Sequence, residues 1–216
     1  MFDDSFISLS PINFFQISVD CYQLSGAGAF PQLRALPKKY LLPDTSELCV
    51  EEVFAEIAMG WSREGLEICL SSASTFHEAT YPDVTRGDSL ELFIDTRDVK
   101  TSGFNTRFCH HFFFLPEAVE GNRAGEITHF RTEDAHELCD PKLLIVDSSL
   151  KKNGYQMHIF IPSQCLYGYD PDQFTRLGFT YRINRRYGAP QHFSVTSSEY
   201  QLSQQPSLWS SVRLIK

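Results

Sequence analysis

The sequence predicts an all-β fold: an antiparallel β-sandwich, jelly-roll-like, with an N-terminal strap. Three observations predict it. From about residue 50, apolar and polar residues alternate with period two in many short runs. Turn residues, chiefly Gly and Pro, separate these runs. The chain carries no amphipathic helix of three turns and no internal repeat. At 216 residues, 42% hydrophobic and 21% charged, it can bury one full core without being divided. The 18 Phe supply large apolar area with few rotamers, which suits a thick sandwich core.

Residues 1–46 are punctuated by Pro11, Pro31, Pro37 and Pro43 and have no clean period. Phe14, Phe15 and Tyr22 make this segment a strap packed on the domain, since a flexible linker carries fewer aromatics. Residues 47–216 are the sandwich. Val53 to Trp61 alternate, Ser62 to Gly65 turn, and Leu66, Ile68 and Leu70 alternate again, which reads as a hairpin. Leu90, Leu92 and Ile94 share one strand face, with Ser89, Glu91, Phe93 and Asp95 on the other. Phe108 to Leu115 is a strand buried on both faces and ended by Pro116, followed by a loop over 117–126. Ile127–Arg131 and Leu143–Asp147 read as short strands. Tyr155 to Ile161 alternates and stops at Pro162; Leu177 to Asn184 alternates; Trp209 to Leu214 closes the chain.

The formal net charge of −8 argues against nucleic acid as a partner, because phosphate binding needs clustered Lys and Arg. The N-terminus lacks a basic region followed by an unbroken apolar run. No stretch approaches the ~20 apolar residues of a membrane span. These features predict a cytoplasmic protein without a membrane partner. The six cysteines form no C-x-x-C pair and are expected to be reduced.

Several segments resemble family 9 carbohydrate-binding modules and the related DOMON-like sandwiches. Trp61 to Ile68 resembles the family's early Trp-Asp-x-x-x-Leu-Tyr-Val hairpin. Gly87 to Asp95 resembles its central Asp-Ser-Val-Glu-Ile-Phe-Ile-Asp strand. Asn153 to Pro162, Leu177 to Asn184 and Trp209 to Leu214 resemble three later strands, in the family's order. The resemblance covers roughly residues 50–216. It implies a sugar site on one sheet face, with calcium often stabilising the loops.

By this resemblance Glu91 is the strand carboxylate that accepts sugar hydroxyls, and Arg182 and Asn184 are its polar neighbours on the same face. A carboxylate fixed on a strand can accept two hydroxyl donors in set geometry. Equally, Arg182 can pair with Glu91 across the sheet and leave no open site. The family's two clamping tryptophans fall near Thr85 and Ser203, and neither position is aromatic. Trp61 and Trp209 match scaffold positions instead, leaving Tyr81, Phe76 or Tyr187 as substitutes. Calcium would take Asp88, Asp95 and Asp98, with Asp83 nearby.

The histidines stand apart from the resemblance. His110 and His111 are adjacent on a strand and must point to opposite faces; both are candidate ligand-binding residues. His129, His136 and Cys139, with His77, offer zinc-type donors, although their spacing matches no standard zinc pattern. No catalytic motif is present: there is no G-x-S-x-G, no H-E-x-x-H and no phosphate loop. Three functions follow. The first is a non-catalytic domain binding a carbohydrate or sugar-like ligand around Glu91 and Arg182. The second is a protein-interaction scaffold that has lost sugar binding. The third is a metal-dependent enzyme using His110, His129 and His136.

Overall fold

The computed structural model describes residues 17–24, 30 and 37–216. Most of the expected strap therefore lies outside the described residues. Eleven strands are present among those described: β1 Ser18–Gln23, β2 Ala55–Ser62, β3 Gly65–Ser72, β4 Ser89–Asp95, β5 Cys109–Val119, β6 Asn122–Glu126, β7 Ile145–Lys151, β8 Gly154–Pro162, β9 Arg176–Asn184, β10 Gln191–His192 and β11 Ser210–Ile215. The only α-helical turn among them is Ser46–Cys49, and no helix is long and apolar enough to cross a membrane.

The strands form one path, β6-β5-β4-β9-β11-β1-β2-β3-β8-β7, with β10 on β9. The path folds over a single core. Leu90, Leu92, Ile94, Phe112 and Phe114 from one half meet Ile57, Met59, Ile68, Leu70, Met157 and Ile159 from the other in one cluster. Period-two alternation is what sends these side chains inward together. The β2–β3 hairpin forms where Ser62 to Gly65 predicts it. Gly65 sits at φ 149°, and a Cβ there would lie 2.1 Å from the Ile161 carbonyl oxygen, so no other residue fits.

The junction of the two halves is unlike the rest. β1 pairs in parallel with both β11 and β2, inserting a piece of the first 46 residues into the sheet. The Trp61 indole N–H donates to the Ile215 carbonyl at 3.1 Å and locks this junction from the side.

Four strand boundaries differ from the sequence expectation; one is β7, which spans Ile145–Lys151 rather than Leu143–Asp147. β5 runs past Pro116 to Val119, because the proline falls where the ladder slips between Phe114 and Val119 and needs no N–H donor there. Residues 122–126 are β6 rather than loop: Glu120 (φ 52°) and Gly121 (φ 82°) make the two-residue positive-φ turn that closes a tight hairpin. Residues 128–131 are not a strand. The Ile127 N–H still donates to the His111 carbonyl, but the His111 N–H goes to the Thr128 hydroxyl at 2.8 Å. A side chain there ends the ladder, and the chain leaves the sheet.

Candidate functional site

Residues of β4, β5 and β9 that point away from the main core form a second, polar face. Glu91 lies between Phe113 of β5 and Arg182 of β9 in the cross-strand register. Its carboxylate is 1% exposed. Oε1 accepts from His111 Nε2 at 2.9 Å. Oε2 accepts from Arg182 Nε at 2.6 Å and from Asn184 Nδ2 at 2.8 Å. Asn184 also donates to the Ser89 hydroxyl at 2.9 Å, which in turn donates to the Val84 carbonyl. Both carboxylate oxygens are thus held by side chains of the protein itself. Of the two readings open in the sequence, the internal ion pair is the one formed.

The electrostatics follow from this geometry. Burial alone would raise the Glu91 carboxyl. Hydrogen bonds from His111 and Arg182 and the Arg182 charge outweigh it and hold the group at about 2, from an ordinary 4.5. A carboxyl depressed in the folded state contributes stability that is complete above about 4.5 and is lost as pH falls toward 2. The shift corresponds to on the order of 3 kcal/mol. Urea unfolding followed from pH 6 down to pH 2 is expected to show this loss, and Glu91→Gln is expected to flatten that part of the profile.

Two apolar clusters flank the Glu91 group. On one side Phe93 stacks on His111 (4.3 Å, 28°) and packs with Val195, Leu202 and Trp209; half-buried Tyr200 joins this cluster. On the other side Phe113 packs with Val84 and Leu115, and half-buried Tyr81 covers the Phe113 ring at 5.6 Å. Arg182 lies across β4 from Phe113, on the other side of Glu91, and its side chain is 19% exposed. Of the aromatics considered as substitutes for the missing tryptophans, Tyr81 alone lies on this face. Phe76 packs against the main core, and Tyr187 projects to solvent against His77. Trp61 and Trp209 are both buried, as scaffold residues are.

The other expected residues fall elsewhere. His110 points into the opposite face of β5, stacked on Phe112. The acids named for calcium do not converge. Asp88 and Asp95 are at opposite ends of β4, about 23 Å apart at ~3.3 Å per residue. Asp88 accepts the backbone N–H groups of His77 and Glu78. Asp95 accepts those of Arg97 and Val99, and burial pushes its carboxyl up. Asp98 is held by Lys100 at 2.6 Å and by the Ser211 hydroxyl.

The zinc set of His129, His136 and Cys139 is also not assembled. His129 is exposed. Cys139 is in a disulfide with Cys165 (Cα–Cα 4.9 Å), which also corrects the expectation that all six thiols are free. Cys21, Cys49, Cys69 and Cys109 are free and buried. Among the described residues the donors that do meet are His110, Glu126 and His136. Glu126 and Tyr200 were missed in the sequence. Glu126 falls in the expected loop over 117–126, and its one usable signal is Thr128 two residues on, whose hydroxyl donates to it.

No protein-family model matches the chain, and no curated protein matches it. Solved structures do. The fold is similar to a family 9 carbohydrate-binding module from Caldicellulosiruptor kristjanssonii in complex with cellotriose, at TM-score 0.62 and 15% identity over 92% of this chain and 94% of that one. A family 9 module from the same organism in complex with glucose matches at TM-score 0.61 and 15% identity, over 90% and 95%. The chain has the fold of the family 9 carbohydrate-binding modules, in a strongly diverged sequence.

Proposed function

We propose that the protein is a non-catalytic binding domain that takes a carbohydrate or sugar-like ligand on the face around Glu91 and Arg182. The observation that carries this reading is the buried Glu91–His111–Arg182–Asn184 group. It stands at the strand position where the family resemblance puts the sugar-binding carboxylate, on a fold shared with modules crystallised with cellotriose and glucose. Glu91 serves as the anchor that orients Arg182, and Arg182 is the group that meets the ligand. Its guanidinium spends Nε on Glu91, and its side chain remains 19% exposed. A guanidinium so held favours an acidic or phosphorylated sugar, because its fork matches carboxylate and phosphate oxygens. Tyr81, packed on Phe113, and Tyr200, packed with the Phe93 cluster, supply aromatic rings around the Glu91 group where neither Thr85 nor Ser203 can.

Isothermal titration against neutral mono- and oligosaccharides, uronic acids and phosphorylated sugars tests this. Binding is expected to be strongest for the anionic sugars. Tyr81→Ala is expected to weaken it about 2- to 10-fold, the worth of one ring contact. Silence across the whole panel would overturn the reading and leave the protein-interaction scaffold as the better one.

A further inference from the structure

His110 and His111 are neighbours in sequence and belong to different groups in space. His111 serves the Glu91 face. His110 turns inward at the edge of the core and meets Glu126 from the end of β6 and His136 from the connection between β6 and β7. One donor atom from each residue lies within 4.8 Å of the other two. The side chains are 0%, 0% and 3% exposed in the order His110, Glu126, His136.

The polar groups here crowd onto one carboxylate oxygen. Glu126 Oε1 faces His110 Nδ1 at 2.9 Å, His136 Nε2 at 2.8 Å and the Thr128 hydroxyl at 2.7 Å. Three donors thus converge on one oxygen with two lone pairs, while Oε2 takes only the Cys139 N–H at 2.8 Å. The other nitrogen of His136, Nδ1, faces the Arg107 carbonyl at 2.7 Å. Both nitrogens of His136 therefore face acceptors, so a neutral ring satisfies only one of them. The rings of His110 and His136 stack with centroids 4.3 Å apart, an arrangement that disfavours two imidazolium charges. His110 Nε2 is buried beside the Tyr167 carbonyl without a well-formed hydrogen bond.

We propose that His110, Glu126 and His136 bind one divalent transition-metal ion of the zinc class, which staples the 127–140 connection to β5. The ion would replace the two ring protons that now point at Glu126. The Arg107 carbonyl would then fix His136 in the Nδ1–H tautomer, leaving Nε2 to ligate, which is the usual outer-shell device at imidazole–metal sites. The Thr128 hydroxyl and the Cys139 N–H orient the carboxylate in the same way. Two imidazoles and one carboxylate suit zinc and its neighbours. A tetrahedral zinc with bonds near 2.0 Å sets its ligands about 3.3 Å apart; the two nitrogens lie 2.9 and 2.8 Å from Glu126 Oε1 and within 4.8 Å of each other, so the three side chains must readjust around the ion. A cleft of about 700 Å³ lined by His136, Cys139, Cys165 and Tyr167 adjoins the group and gives an entry path. The need for a staple is plain in the chain: residues 127–140 contain no strand or helix, and long irregular connections are the ones that cross-links stabilise most.

Metal-stripped full-length protein, kept oxidised at Cys139–Cys165, is titrated with zinc by calorimetry and with cobalt(II) by visible absorption. One equivalent of each ion is expected to bind. Zinc is expected to slow tryptic cleavage after Arg131. His136→Ala is expected to weaken binding on the order of 100-fold, and His129→Ala to leave it unchanged. His136→Gln, which keeps an amide donor for Glu126 but no imidazole, is expected to behave as His136→Ala and serves if the alanine variant does not fold. Failure of the wild type to bind either ion overturns the proposal, as does equal binding by the wild type and the His136 variants.

Discussion

Arg182→Met is expected to destabilise the protein by about 3–5 kcal/mol, the usual cost of removing one partner of a buried ion pair. The substitution keeps the length of the side chain and removes its charge. Glu91 would then stay 1% exposed with one counter-charge and one donor gone. His111 and Asn184 remain, but neither carries a permanent charge. The double variant Glu91→Gln, Arg182→Met is expected to recover a large part of the loss, because the uncompensated charge is gone and two near-isosteric neutral groups replace it. Urea midpoints at constant m-value read both effects. A single variant as stable as the wild type would show that Glu91 is hydrated or protonated rather than anchored as described.

Trp209→Ala is the second large expectation, at about 3–5 kcal/mol. The ring is 2% exposed and packs on Phe93 at 5.9 Å. Its indole N–H donates to the Leu202 carbonyl at 2.9 Å. The substitution therefore opens a cavity and leaves a buried carbonyl without its donor. The effect reaches the Glu91 face, because Phe93 stacks on His111, which holds Glu91. Ligand affinity is expected to fall together with stability in this variant, although Trp209 touches no ligand. Denaturation midpoints and sugar titrations on the same preparation check the coupling; an unchanged affinity in a destabilised but folded variant would contradict it.

The scaffold was readable in the sequence because alternation is a local property. Leu90, Leu92 and Ile94 declare one face of β4 without reference to any partner, and the structure puts them in the core. The split of His110 from His111 follows from the same geometry. Partners of a buried polar group are not local. Arg182 lies 91 residues from Glu91, and only the resemblance and the strand phase brought the two together. Asn184 came with it, while the third partner, His111, is a candidate ligand-binding residue in the sequence whose pairing with Glu91 only the structure gives. The His110–Glu126–His136 group was half legible. Two of its members, His110 and His136, stand out in the sequence, but Glu126 lies in a segment without strand propensity, whose pairing depends on the Glu120–Gly121 turn. β1 was the hardest element to read. It is a parallel strand whose partners lie at the far end of the chain and in β2, and nothing in residues 18–23 announces that pairing.

The most direct test of the central claim is to watch Arg182 while a ligand is added. Its side-chain Nε–H resonance should be resolvable by NMR, because Glu91 holds that proton in a buried hydrogen bond of 2.6 Å. Titration with an anionic sugar is expected to shift the Arg182 Nε–H and the Tyr81 ring signals together, saturably and with the same dissociation constant. Binding that shifts other regions while these signals stay fixed would contradict the assignment of the ligand to this face.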